Sequence, residues 1–146
     1  MTETFIIGID PGRKTGVGVI RAADGVFLGS YTKDFFSSQI FLNESFKNRS
    51  EVLVVIEVSP AVRLPETGFD PQTRDKILVN TGGVKREAEL LAESIRRIGF
   101  KTVEVPPIRG GKWTEEEFQL ATGSNLTANE HERDAVRLAM NFRKKQ

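Results

Sequence analysis

The chain contains no cysteine, and it has a single histidine, a single tryptophan and a single tyrosine among its 146 residues. The absence of cysteine excludes disulfide bonds, thiolate zinc sites and a cysteine nucleophile. No apolar run approaches the ~20 residues of a membrane-spanning helix. The first residues lack the basic segment, apolar core and small-residue cleavage site of a secretory signal. We therefore expect a cytoplasmic protein that does not enter a membrane.

Net charge is also nearly absent, at +1, with 28% charged and 38% hydrophobic residues. These values are ordinary for a globular protein, and the length suits one domain over residues 1–146. The charges are unevenly distributed: segments 84–112 and 135–146 carry excesses of +3 and +4, whereas segment 113–134 carries −5. An acidic segment between basic flanks favours cations at the acids and phosphates at the bases, although solvated helix faces give the same pattern.

Hydrophobic periodicity predicts five strands and four helices. Ala23-Asp24-Gly25 is typical of a hairpin turn, and Thr114 with Glu117 forms a predicted capping box. The stretch 59–83 has three prolines and several glycines, which predicts a long loop. The predicted strands are 4–9, 16–21, 26–32, 52–56 and 101–105, and the predicted helices lie near 35–42, at 84–98, after Thr114 and after Asn129.

The order of these elements predicts the fold class. Three strands joined by tight turns should be antiparallel, and two later strands, each preceded by a helix, should add in parallel through right-handed crossovers. The sequence therefore predicts an α/β protein with a five-stranded mixed sheet flanked by helices.

Two acids end apolar strands in the same way: Asp10 follows FIIGI, and Glu57 follows VLVVI. If those strands are parallel neighbours, both carboxylates lie at the carboxyl edge of the sheet, where open α/β sheets place their sites. In the last helix, His131 and Asp134 are three residues apart and share a face. Ala135 lies beside them, which indicates that this face turns inward.

Converging carboxylates repel one another unless a cation lies among them, and hard oxygen ligands suit Mg²⁺ or Mn²⁺. Two such ions could stabilise the attacking and leaving oxygens of a phosphodiester displacement. Gly12 and Gly16 would leave room for a phosphate backbone. Plainer interpretations stay open: Asp10 in a turn, Glu57 as the first polar residue after a core strand, acids that complement a helix dipole, and a surface His131.

The sequence resembles the RuvC-type Holliday junction resolvases of the RNase H-like superfamily over nearly its whole length. The resemblance rests on IGIDPGRKTGVGVI with Asp10, VLVVIEVSP with Glu57, and HERDAVRLAM with His131 and Asp134. It implies an RNase H-like fold and a homodimer that nicks opposed strands of a four-way DNA junction in a bacterial or phage-infected cell. It also implies dependence on Mg²⁺ or Mn²⁺, with two ions in each site, and 5′-phosphate and 3′-hydroxyl products.

Carried over to this chain, the resemblance makes Asp10, Glu57 and Asp134 metal-binding catalytic carboxylates. His131 stands where many relatives have aspartate, which implies a metal ligand or a residue that positions water. Phe69 corresponds to an aromatic wedge at the junction centre, although it could instead pack on the core. The predicted dimer surface is the helix 84–98. The predicted DNA contacts are Arg63, Phe69, Arg74, Lys76, Lys85, Arg86, Arg109 and Lys112.

Three other functions compete with this interpretation. A YqgF-like ribonuclease of the same superfamily opens with a DxGxKxxG pattern that residues 10–16 approximate. An actin-like ATP-binding fold has a similar first phosphate loop, but it needs a second domain and a second such motif. A catalytically inactive nucleic-acid-binding scaffold would have no need to keep its carboxylates together.

Overall fold

The computed structural model describes residues 3–60, 64 and 68–146. Five strands and four α-helices follow one another in the predicted order, with a short 3₁₀ turn at Arg49–Glu51 before the fourth strand. The strands are β1 (Phe5–Asp10), β2 (Thr15–Arg21), β3 (Phe27–Lys33), β4 (Val52–Glu57) and β5 (Lys101–Val105). The helices are α1 (Phe35–Ser45), α2 (Pro71–Ile98), α3 (Glu115–Thr122) and α4 (Glu130–Lys144).

The sheet has the strand order β3-β2-β1-β4-β5. Strands β1, β2 and β3 pair in antiparallel fashion, and β4 pairs in parallel with both β1 and β5. This arrangement confirms the predicted five-stranded mixed sheet. The strand β4 lies between β1 and β5 and is buried from Val52 to Ile56, because helices cover both faces of the sheet.

The two faces of the sheet carry separate hydrophobic clusters. On one face, Ile7 and Ile56 pack with Leu42 of α1 and with Leu91 and Ile95 of α2. On the other face, the side chains of β1, β2 and β4 pack against Phe118 of α3 and Val136, Leu138 and Ala139 of α4. In the described ranges, none of the helices is both long and apolar enough to cross a membrane.

Three glycines allow α4 to lie directly on the sheet. A Cβ atom at Gly8 would overlap the carbonyl oxygen of Ala135, and one at Gly18 would lie 2.6 Å from the backbone nitrogen of Val136. A Cβ at Gly16 would overlap the carbonyl oxygen of His131. The expectation that Gly16 leaves room for a phosphate backbone is therefore wrong, because the first turn of α4 occupies that space.

Helix α2 begins well before the predicted position. The stretch 59–83 was expected to be a loop, but the helix starts at Pro71 and includes Gly82 and Gly83. Asp70 is its N-cap and accepts a hydrogen bond from the backbone nitrogen of Thr73 at 3.0 Å. Proline is compatible with the first turn of a helix, where its missing N–H would have no partner. The first buried residue of α2 is Ala88, so the preceding turns form an exposed extension.

Candidate active site

The parallel pairing of β1 and β4 brings the first two acids together. Ile9 is paired with Ile56, so Asp10 and Glu57 occupy the next positions at the carboxyl edge of the sheet. Their carboxyl groups are close enough that Glu57 raises the pKa of Asp10. Strands β1 and β4 are buried along most of their length. Their ends are therefore fixed, and the backbones that carry the two carboxylates cannot easily move apart.

The first turn of α4 adds the histidine and the third acid. Nδ1 of His131 lies 3.6 Å from Oδ2 of Asp10, and Asp134 is close enough to influence the ionisation of Asp10. Ala135 is buried against the sheet on the same side of the helix, as predicted. The four residues that the sequence singled out for catalysis are therefore brought together at one edge of the sheet.

The acids of this cluster affect each other strongly. Burial raises the pKa of Asp10 to about 8, and the neighbouring carboxylates of Glu57 and Asp134 add to the rise. The ammonium group of Lys112 acts in the opposite direction. Without another cation, the site therefore holds a proton on Asp10 at neutral pH, because three ionised carboxylates at this spacing would repel one another.

The donor set fits a hard divalent cation by its chemistry: three carboxylates and an imidazole meet where negative charge is in excess. Across the described parts of the chain, however, no three histidine, aspartate or glutamate side chains are placed, as they stand, to hold one ion together. Coordination by three of them would require their side chains to rotate inward. The types of donor therefore fit a metal ion, but the described side chains are not positioned to coordinate one together.

Lys112 lies beside this site and contacts two of its acidic side chains. Its Nζ is 3.3 Å from Oδ2 of Asp134, and it also pairs with Glu130. A cavity of about 130 Å³ beside it is lined by Glu57, Asp134 and Arg137, among others. The predicted role of Lys112 as a phosphate contact would therefore require it to leave the carboxylates.

Sequence reasoning missed Glu132, which ties the start of α4 to strand β3. Its carboxylate accepts hydrogen bonds from Ser30 at 2.9 Å and from Thr32 at 2.6 Å. Asn129, the N-cap of α4, donates to both Thr32 and Glu132. From the sequence, Glu132 was interpreted as an acid that complements the dipole of its helix. Its hydrogen-bond partners on β3 are visible only in the tertiary structure.

The other predicted DNA contacts are scattered around α2 and the connection after β5. Arg63 lies outside the described residues. Phe69 directly precedes α2 and is 43% exposed. Arg74 and Lys76, expected on a loop, lie on the first turns of α2, whereas Lys85 and Arg86 lie further along it and pair with Glu89 at 3.7 and 3.4 Å. Arg109 borders a groove of about 560 Å³ between the end of β5 and α4.

Comparison with known structures identifies the fold of the chain. No protein-family model and no curated protein sequence matches the chain. Among solved structures, RuvC from Thermus thermophilus in complex with a Holliday junction substrate aligns over 94% of this chain and 91% of its own, with a TM-score of 0.57 and 15% identity. A second structure of Thermus thermophilus RuvC aligns over 93% and 91%, with a TM-score of 0.51 and 14% identity. The chain therefore has the RNase H-like fold of these RuvC structures.

Proposed function

We propose that this chain is a divalent-metal-dependent DNA endonuclease that resolves four-way junctions. The observation that supports the proposal best is the meeting of Asp10, Glu57, Asp134 and His131 at the carboxyl edge of a RuvC-like sheet. One of the similar structures is described as a complex with a Holliday junction substrate. Fold likeness alone does not specify a reaction, so the proposal depends on the residues of the site.

Asp10, Glu57 and Asp134, together with His131, would hold Mg²⁺ or Mn²⁺. When bound, one or two such ions would neutralise charge on the phosphate and acidify the attacking water. Asp10 must lose its proton for this, and its raised pKa means that cation binding displaces that proton. The side chain of His131 is partly exposed, so its imidazole could orient water beside Asp10.

Paired nicks in a junction require two such sites, which a two-fold symmetric dimer would provide. Within the predicted dimer surface, 84–98, Ala88, Leu91, Ala92 and Ile95 are buried in the chain's own core. We propose that the contact centres on the exposed turns of α2 that precede Ala88, where Val79 and Val84 are 72% and 53% exposed. A Cβ at Gly82 or Gly83 would meet no atom of the described residues within 4 Å, so a partner helix could approach closely there.

The decisive experiment incubates the protein with end-labelled four-way junction, linear duplex and RNA–DNA hybrid, in Mg²⁺ and in EDTA. We expect symmetric nicks in the junction, in Mg²⁺ only, with ligatable 5′-phosphate ends. The Asp10→Asn variant is the matched control, and it should bind the junction without nicking it. Preferential cleavage of RNA would favour the ribonuclease function instead, and junction binding without any divalent-dependent cleavage would favour an inactive scaffold.

A further inference from the structure

Lys112 has a fixed backbone position and a long, exposed side chain. Arg137 donates to the carbonyl oxygen of Gly111 at 2.6 Å, and Arg133 donates to that of Trp113 at 3.1 Å. Both arginines belong to α4, the helix that carries Asp134. The segment that bears Lys112 is therefore held against the acidic site on both sides, while 63% of the lysine side chain stays accessible to solvent.

The ammonium group of Lys112 is a counter-ion for the acidic site. Its Nζ is 3.3 Å from Oδ2 of Asp134 and also contacts Glu130. These acids in turn raise the pKa of Lys112, with Glu130 as the main cause. The lysine thus supplies part of the positive charge that the carboxylates need, and it does so at Asp134, one of the residues that would hold the metal ion.

We propose that Lys112 competes with the divalent metal ion for Asp134 and thereby weakens the metal affinity of the site. The inference rests on the proposed function, since it concerns the same carboxylates. A metal ion and an ammonium group on the same carboxylate repel each other, because both are cations. Metal binding would therefore weaken or break the ion pair of Lys112 with Asp134, and the lost pair subtracts from the affinity for the metal.

The matched control is Lys101, which lies at the start of β5, far from the acidic site. Its Nζ pairs with Glu3 at 3.0 Å, and 68% of its side chain is exposed, close to the value for Lys112. Replacing either lysine by methionine removes one positive charge and keeps an unbranched chain of similar length. Any effect of overall charge on cation binding will therefore be the same in the two variants.

The test measures Mn²⁺ binding to the whole chain without DNA, by electron paramagnetic resonance of free Mn²⁺ or by calorimetry. A partly exposed ion pair contributes up to about 1 kcal/mol, so Lys112→Met should bind Mn²⁺ about fivefold tighter than wild type. Lys101→Met should bind like wild type or differ from it by less than about twofold. In EDTA the thermal midpoint of Lys112→Met should fall below that of wild type, and saturating Mn²⁺ should bring the two midpoints together, because the ion pair is then absent from both proteins.

Each result has a distinct meaning. Equal Mn²⁺ affinity in Lys112→Met and wild type, or weaker affinity in the variant, would overturn the competition and leave the proposed nuclease intact. An equal increase in both methionine variants would show a general charge effect and would also overturn it. If neither wild type nor Lys112→Met binds Mn²⁺ at millimolar concentration, both this proposal and the metal-dependent nuclease are wrong.

Discussion

At the scale of the residue, Asp10 determines the electrostatic state of the candidate site. Its position after a buried strand was readable from the sequence, because FIIGI predicts a central strand and the acid ends it. The raised pKa was not readable, because it depends on burial and on Glu57 and Asp134, which are distant along the chain. The contacts of Lys112 with Glu130 and Asp134 were not readable either, because Lys112 follows β5 whereas both acids lie on α4.

The stability of the metal-free protein should depend on the protonation of Asp10. Its pKa is about 8 in the folded state, against roughly 3.9 for an unfolded aspartate. The folded state therefore binds the proton more tightly, and this contribution is complete below about pH 4 and lost as the pH rises towards 8. We expect Asp10→Asn, which cannot ionise, to be more stable than wild type at pH 8 by on the order of 2 kcal/mol.

Urea unfolding in EDTA at pH 5, 6.5 and 8 checks this expectation. The comparison is the difference in the free energy of unfolding between Asp10→Asn and wild type, so that groups common to both cancel. That difference should grow with pH. A difference independent of pH would show that Asp10 is ionised throughout the range and that the cluster of carboxylates is looser than the structure indicates.

His131 can be tested by comparing two replacements in the nicking assay. If it binds a metal ion or orients water, His131→Ala should lose about 100-fold or more in nicking rate. His131→Asp should stay within about tenfold of wild type, because a carboxylate is also a ligand for Mg²⁺. Wild-type rates in both variants would make His131 a surface residue beside Asp10, and equal large losses would restrict the role to an imidazole.

At the scale of the element, the site depends on how closely α4 approaches the sheet. The sequence predicted α4 through its N-cap at Asn129, because capping is a local signal. Its distance from β1 and β2 was not predicted, and Gly16, one of the glycines that permit the close approach, was interpreted as space for a phosphate backbone. The role of Glu132, which ties the start of α4 to β3, was missed because its partners Ser30 and Thr32 are about a hundred residues away along the chain.

Replacement of Gly8 by alanine tests the packing of α4 directly. A Cβ there would overlap backbone atoms of Ala135, so the helix must shift and carry Asp134 with it. We expect a loss of about 2–3 kcal/mol in the free energy of unfolding by urea, together with weaker Mn²⁺ binding. The control is Gly82→Ala in α2, where the added methyl group meets no described atom within 4 Å. This replacement should raise the free energy of unfolding by about 0.5–1 kcal/mol, because alanine favours a helix more than glycine does. Unchanged stability in Gly8→Ala would mean that α4 is free to move away from the sheet.

At the scale of the whole molecule, the topology was predictable and the surface around the site was not. Element order, tight turns and crossover handedness predicted three antiparallel strands and two parallel ones, and the structure places them in the order β3-β2-β1-β4-β5. The extent of α2 was hidden, because prolines and glycines between 59 and 83 resemble those of a loop. Pro71 in fact begins a helix, and Gly82 and Gly83 lie within it. The consequence is a projecting helical surface next to Phe69, where a flexible loop had been expected.

This projecting surface leads to a prediction about assembly and junction selectivity. If the exposed extension of α2 joins two copies about a two-fold axis, the exposed ring of Phe69, just before this helix, could stack on bases at the junction centre. Phe69→Ala should then nick flapped DNA at the wild-type rate and intact junctions about tenfold more slowly, since stacking contributes about 1–3 kcal/mol per base.

Val79→Asp should convert the dimer to a monomer in light scattering and should change paired nicks into single nicks. A wild-type monomer that still makes paired nicks would overturn the proposed assembly, whereas wild-type junction rates in Phe69→Ala would remove only the aromatic wedge.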